Sequence, residues 1–131
     1  MTSCVLLTAL TYFQRVAGEE SGGLAWNRSD AHYRAVEQRL IELEVAPCLA
    51  VMVNNPPGYY AASRRSSVVI PYGDETMLLE AAEKYDVSIL VLEENDAGHL
   101  NRLFEKPGDY PYFDYLGEVD GTKIYALSPI P

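Results

Sequence analysis

Cysteine is scarce in this chain: Cys4 and Cys48 are the only two in 131 residues. Two thiols without a framework of paired spacings do not make a disulfide scaffold, and they leave the redox compartment open. Histidine is equally rare, with His32 and His99 far apart, so the four nitrogen or sulfur ligands of a structural zinc site are not in view. Basic residues are outnumbered, ten against nineteen acids, which gives a net charge of -9. That charge repels phosphates and anionic membrane surfaces and argues against nucleic acid as a partner. A glycine-rich phosphate turn is also missing. Residues Asn54 to Gly58 offer one glycine and two prolines that have no amide hydrogen, so neither the dinucleotide fingerprint nor the P-loop is present and no cofactor is expected. No serine, histidine and acid fall into a hydrolase motif.

Long apolar runs are lacking as well. The segment Cys4 to Val16 is the most apolar, but it is shorter than the roughly 20 residues a bilayer crossing needs, and it has no basic start or small-residue cleavage site. Two readings of residues 1–17 stay open: an amphipathic helix packed on the domain, or the end of a membrane helix. Residues 18–131 read as a single α/β domain. Gly18 to Asn27 reads as a loop with Trp26 anchoring it, and Ser29 or Asp30 as the cap of a helix running to about Glu44. Its apolar stripe is Tyr33, Val36, Leu40 and Leu43, with Glu37 among the residues turned mostly to water.

What is abundant is short apolar strands alternating with helices. Leu49–Val53, Ser67–Ile70 and Ser88–Leu92 read as buried strands, the last almost wholly apolar, as strands covered on both faces are. After Pro56-Pro57-Gly58 a short helical segment is expected through Tyr59 to Ala62, and helices over Glu75–Tyr85 with Met77, Leu78, Ala81 and Ala82 inward and over Ala97–Glu105. Asp120-Gly121 between two strand-like runs is a two-residue hairpin signal, because both turn positions favour positive φ. The order predicts a three-layer α/β sandwich: a mostly parallel, Rossmann-like sheet with a C-terminal antiparallel hairpin on one edge. With the first and third strands adjacent and the second outside, the crevice at their carboxyl ends falls between Asn54-Asn55 and Glu93-Asn95.

The candidate ligand-binding residues are therefore Asn54, Asn55, Tyr59, Tyr60, Glu93 and Asn95, a mixture of amides and aromatic faces suited to a sugar or a peptide backbone. Each also has an ordinary structural role, in turns or core. Asp96 and His99, three apart, are weak candidates for a metal site, with helix capping as the competing role. No catalytic residue is identified. Arg64-Arg65 reads as a solvated pair.

The segments Val51-Met52-Val53-Asn54-Asn55-Pro56-Pro57-Gly58-Tyr59-Tyr60, Val68-Val69-Ile70-Pro71-Tyr72-Gly73-Asp74 and Tyr85 through Glu93, with Gly121-Thr122-Lys123-Ile124-Tyr125, together resemble the soluble C-terminal domain of bacterial membrane glycosyltransferases of the dolichyl-phosphate-mannose protein mannosyltransferase-like type. The resemblance spans about Trp26 to Leu127. It implies a membrane-embedded parent that uses a lipid-phosphate-linked sugar, with its acidic catalytic residues in loops near the start of that protein; nothing in this chain matches them. The expectation is thus a non-catalytic, extracytoplasmic accessory domain that binds a glycan or peptide acceptor. The membrane-embedded part would be its partner, with self-association through residues 4–16. Two alternatives are a free-standing small-molecule or peptide binding module, cytoplasmic in that case, and a metal-assisted enzyme using Asp96 and His99.

Overall fold

A computed structural model describes residues 25–94 and 98–131. The expected apolar segment 1–17 and most of the loop after it lie outside those residues, as do Asn95 and Asp96. The first described element, α1 (Ala25–Glu42), begins earlier than its sequence signals suggest. Ser29 and Asp30 sit inside it and do not cap it; Asp30 instead pairs with Arg34 one turn on, at 2.8 Å. Trp26 is likewise helical, not part of a loop. The helix ends at Glu42, and the chain leaves it through Glu44, whose φ of 60° is left-handed, with the Val45 amide donating back to the Leu40 carbonyl.

Strand β1 (Ala50–Val53) leads into α2 (Pro56–Ser63), where Asn55 accepts a hydrogen bond from the Gly58 amide at 3.2 Å. Pro56 and Pro57 occupy the first turn, where their missing amide hydrogens cost nothing. Strand β2 (Ser67–Val69) follows, then α3 (Glu75–Lys84), capped by Asp74 through the Met77 amide at 3.0 Å. Strand β3 (Val87–Leu92) precedes a 3₁₀ turn (Gly98–Leu100) and a short helix, α4 (Asn101–Glu105). The single helix expected over Ala97–Glu105 is therefore 3₁₀ at its start. The chain closes with β4 (Phe113–Val119) and β5 (Thr122–Leu127), joined by Asp120 and Gly121, both at positive φ, as the hairpin signal required.

The five strands form one mixed sheet in the order β2-β1-β3-β5-β4. Strand β1 pairs in parallel with both β2 and β3, whereas β3 with β5 and β5 with β4 pair antiparallel. The first and third strands are thus neighbours with the second outside. The sheet is therefore mixed: β2-β1-β3 form its parallel part, and the C-terminal hairpin joins it antiparallel through β5 beside β3.

Alternating side chains feed two cores, as the two-residue period of a strand dictates. Val51, Val53, Ile89, Val91 and Ile124 pack with Tyr33, Val36 and Leu40 of α1 and Tyr59 of α2. Met52, Leu90, Leu92 and Tyr125 pack on the other face with Leu78, Leu79 and Ala82 of α3 and with Leu100 and Leu103. Met77, expected inside, is half exposed, and Leu79 takes the inward position. The Met77 side chain lies across Gly73 instead, where an added Cβ would meet its sulfur at 2.5 Å.

Candidate functional site

The two chains leaving the carboxyl ends of β1 and β3 part company. After Asn54 the chain turns to α2 on the α1 face, and after Glu93 it reaches the 3₁₀ turn and α4 on the opposite face. Divergence of that kind opens a crevice above the strand ends. On its far side lies the hairpin turn, because Leu92 is in register with Lys123 and Thr122 follows immediately beyond. A cleft of about 230 Å³ lies between α1, the end of β3 and the hairpin turn, lined by His32, Glu93, Glu94, Asp120, Gly121 and Thr122 and by no residue of β1 or α2.

One contact ties the rim together. His32 of α1 is hydrogen-bonded through Nε2 to the Thr122 hydroxyl at 2.8 Å, tying helix to hairpin. Asn54, outside that lining, ends β1 with its Nδ2 buried and, among the described residues, without a hydrogen-bond partner. A buried amide donor left unpaired costs about 1–3 kcal/mol. Three carboxylates and no lysine or arginine line the cleft, so the rim disfavours anions. A larger hollow of about 490 Å³ lies between α3 and α4, but its lining of Glu75, Arg102, Glu105, Lys106, Asp109 and Tyr110 is mostly exposed charge of both signs.

The structure gathers the sequence candidates only in part. Asn54 and Glu93 end neighbouring strands on one edge of the sheet. The Asn55 side chain is occupied capping α2. Tyr59 is fully buried and its ring packs on Tyr33 at 5.5 Å, so it presents no face to a sugar. Tyr60 is half exposed but lines a separate groove with Pro56, Pro57, Ser66 and Ser67 beside β2. His99 is exposed, with the Tyr72 ring edge-on at 4.4 Å. Among the described residues, no group of three or more histidine, cysteine or acidic side chains is placed to hold a metal ion. His32 and Thr122, which complete the rim, were not singled out from sequence; a histidine one position before the stripe residue Tyr33 was the available signal.

The largest electrostatic feature lies elsewhere. Arg65, read as solvated, is buried, and Glu37, read as turned to water, holds it: Nη2 donates to Oε1 at 2.7 Å, and Nε to Oε2 at 2.9 Å. Nη1 also donates to the carbonyls of Ala46 and Leu49, at 2.7 and 3.0 Å. The cause is local. Arg64 closes α2 in the left-handed conformation, φ 63°, and this turns the next side chain inward while Arg64 itself stays exposed. The Tyr59 hydroxyl donates to Glu37 at 2.9 Å, and burial together with that carboxylate pushes the phenol well above its ordinary pKa. The hydrogen bonds to Glu37 raise the Arg65 pKa further, so the guanidinium stays charged.

No protein-family model, curated protein or solved structure matches this chain.

Proposed function

We propose that this chain is a non-catalytic acceptor-binding domain of a membrane glycosyltransferase that uses a lipid-phosphate-linked sugar, placed on the extracytoplasmic side of the membrane. The parallel half of the sheet, β2-β1-β3, is read as Rossmann-like, which gives its switch point a binding role in place of a phosphate-binding one. The observation that carries the reading is the unpaired Nδ2 of Asn54 at the end of β1, beside a cleft walled by acids.

Its chemistry favours the acceptor over the donor. A phosphate-linked sugar would meet Glu93, Glu94 and Asp120, whereas hydroxyls or peptide carbonyls meet an amide donor and carboxylate acceptors. The cleft is smaller than the roughly 300–1,000 Å³ of sites that engulf a whole ligand, so it suits one ring or one short peptide segment. Among the described residues no helix is long and apolar enough to cross a membrane, and the membrane attachment belongs to the proposal.

Chemical-shift mapping with monosaccharides, disaccharides and short peptides tests it. Resonances of His32, Asn54, Glu93 and Thr122 should move together, and Asn54→Ala should weaken binding about tenfold, the loss of one hydrogen bond to a desolvated donor. Shifts confined to β4 and α4, or binding stronger for a sugar phosphate than for the neutral sugar, would refute an acceptor site here.

A further inference from the structure

The sheet has two outer strands, and they are treated differently. Strand β4 carries an irregularity between Tyr115 and Gly117, a Gly117 φ of 135°, and exposed Asp114 and Glu118. A bulge and exposed charges are how proteins keep an open edge from pairing with another chain. Strand β2, Ser67-Val68-Val69, has no charge, no proline and no bulge, and among the described residues no strand pairs with its outer side. Its alternate residues face β1: the Ser66 carbonyl accepts from Val51, and the Ile70 amide donates to Val53. By the same alternation Ser67 and Val69 turn their backbone groups outward. Val69 is 57% exposed.

The charge distribution points the same way. From Val45 to Gly73 the chain carries no aspartate or glutamate, although it has nineteen acids in all. That stretch spans β1, α2 and β2. It forms the β2 edge with exposed Val69 and Tyr60, and its one exposed charge is Arg64, 5.8 Å from the Tyr60 ring. On a molecule of charge -9, this edge can meet an identical edge without carboxylates facing each other.

We infer that β2 is the docking strand for a second copy of this chain, paired antiparallel about a two-fold axis at Val68. The axis sets Ser67 opposite the partner's Val69 in reciprocal hydrogen-bonded pairs and joins the two sheets into one. It runs normal to the sheet, so α2 of each copy lies beside the other and Tyr60 with Arg64 fills the seam. Both α1 helices stay on the same face of the joined sheet. The crevices at the carboxyl ends remain open, so the inference stands apart from the proposed function.

Sedimentation of the full chain across micromolar to near-millimolar concentration tests it. A dimer is expected, and Val69→Lys should raise its dissociation constant at least about a hundredfold by placing like charges across the axis. Thermal unfolding of that variant should be unchanged under dilute, monomeric conditions, since Val69 is already solvated. In a full chain carrying Cys4→Ser and Cys48→Ser, Val68→Cys should oxidise to a covalent dimer, because a residue on the axis faces its own copy about 4.5 Å away between Cα atoms. Leu6→Gln with Leu10→Gln should leave the dimer intact. A monomer throughout the range would overturn the inference. So would a dimer that survives Val69→Lys, or one that dissociates on the Leu6 and Leu10 changes and so belongs to residues 4–16.

Discussion

Replacing Arg65 by methionine removes the most heavily bonded buried charge among the described residues. The side chain is 1% exposed and its partner Glu37 15%, so neither is screened as a surface pair would be. Deleting one member of such a pair strands the other, at about 3–5 kcal/mol. The carbonyls of Ala46 and Leu49 lose a donor as well. These carbonyls sit in a partly exposed loop that water can enter, so the addition stays near 1 kcal/mol. The expected loss is about 4–6 kcal/mol, a large share of the roughly 5–15 kcal/mol that holds a domain together. Arg65→Lys should recover little, because a lysine cannot span a carboxylate fork and two carbonyls at once. Arg65→Met with Glu37→Leu should recover most of it, since a buried pair replaced by apolar groups is often close to neutral. Urea unfolding of the three variants and the parent supplies the comparison. A loss below 1 kcal/mol for Arg65→Met, or a double variant no better than the single, would show that the pair is solvated and the reasoning wrong.

Two further outcomes follow from packing and titration. Gly58→Ala, which in an ordinary helix gains up to about 1 kcal/mol, should here cost about 1–3 kcal/mol, because the new Cβ meets Asn55 Nδ2 at 2.5 Å and the Tyr33 ring at 3.2 Å; thermal unfolding decides the sign. Burial pushes the Tyr125 phenol up to about 12, with Tyr115 and Glu118 adding to it, and Tyr59 is raised further still. A raised tyrosine keeps its proton longer when folded, so the unfolded chain binds fewer protons above pH 10 and stability falls from about pH 10 to 12 while staying level below. Phenolate absorbance should show two of the ten tyrosines ionising only as the chain unfolds; ten tyrosines ionising together near pH 10 in folded protein would contradict this.

The strands, their buried faces and the hairpin were legible because each rests on a local signal: an apolar run, a turn pair, a proline. The neighbouring of β1 and β3 was one of the orders the chain left open, because right-handed crossovers fix the face each helix covers and not which strand is central. The position of β5 beside β3 was not legible either, because a hairpin can attach at either edge and the chain alone does not choose. Arg65 illustrates a different failure. Two adjacent arginines read as solvent-facing until Arg64 adopts a left-handed φ, a conformation that non-glycine residues rarely take and that no residue type announced. Glu37 was more readable than it was read: it lies four residues after Tyr33 and three before Leu40, on the border of the apolar stripe. Of the candidate site, strand-end positions were legible from topology, but Tyr59 was not separable from Tyr60, since which of two adjacent aromatics enters the core depends on the phase of a short helix against α1.

The two ends of the sheet differ in how their buried polar groups are satisfied. Helix α1 is pinned twice, through Glu37 to Arg65 near the amino ends of β1 and β2, and through His32 to Thr122 near the carboxyl ends. The two anchors lie five residues apart along α1, about 7.5 Å of rise, so one rigid helix carries both. At the amino end every strong group has its partner: the guanidinium meets a carboxylate and two carbonyls, and the phenol meets the same carboxylate. At the carboxyl end Asn54 keeps a buried donor unpaired on the strand next to β3. A fold tolerates such an unpaired donor where the surrounding strands hold the group in place. It follows that changes at Glu37 or Arg65 should lower stability without altering the ligand preference of the folded molecule, whereas changes at Asn54 should alter binding and leave stability level or higher. That separation of effects is what distinguishes a binding edge from a merely imperfect one.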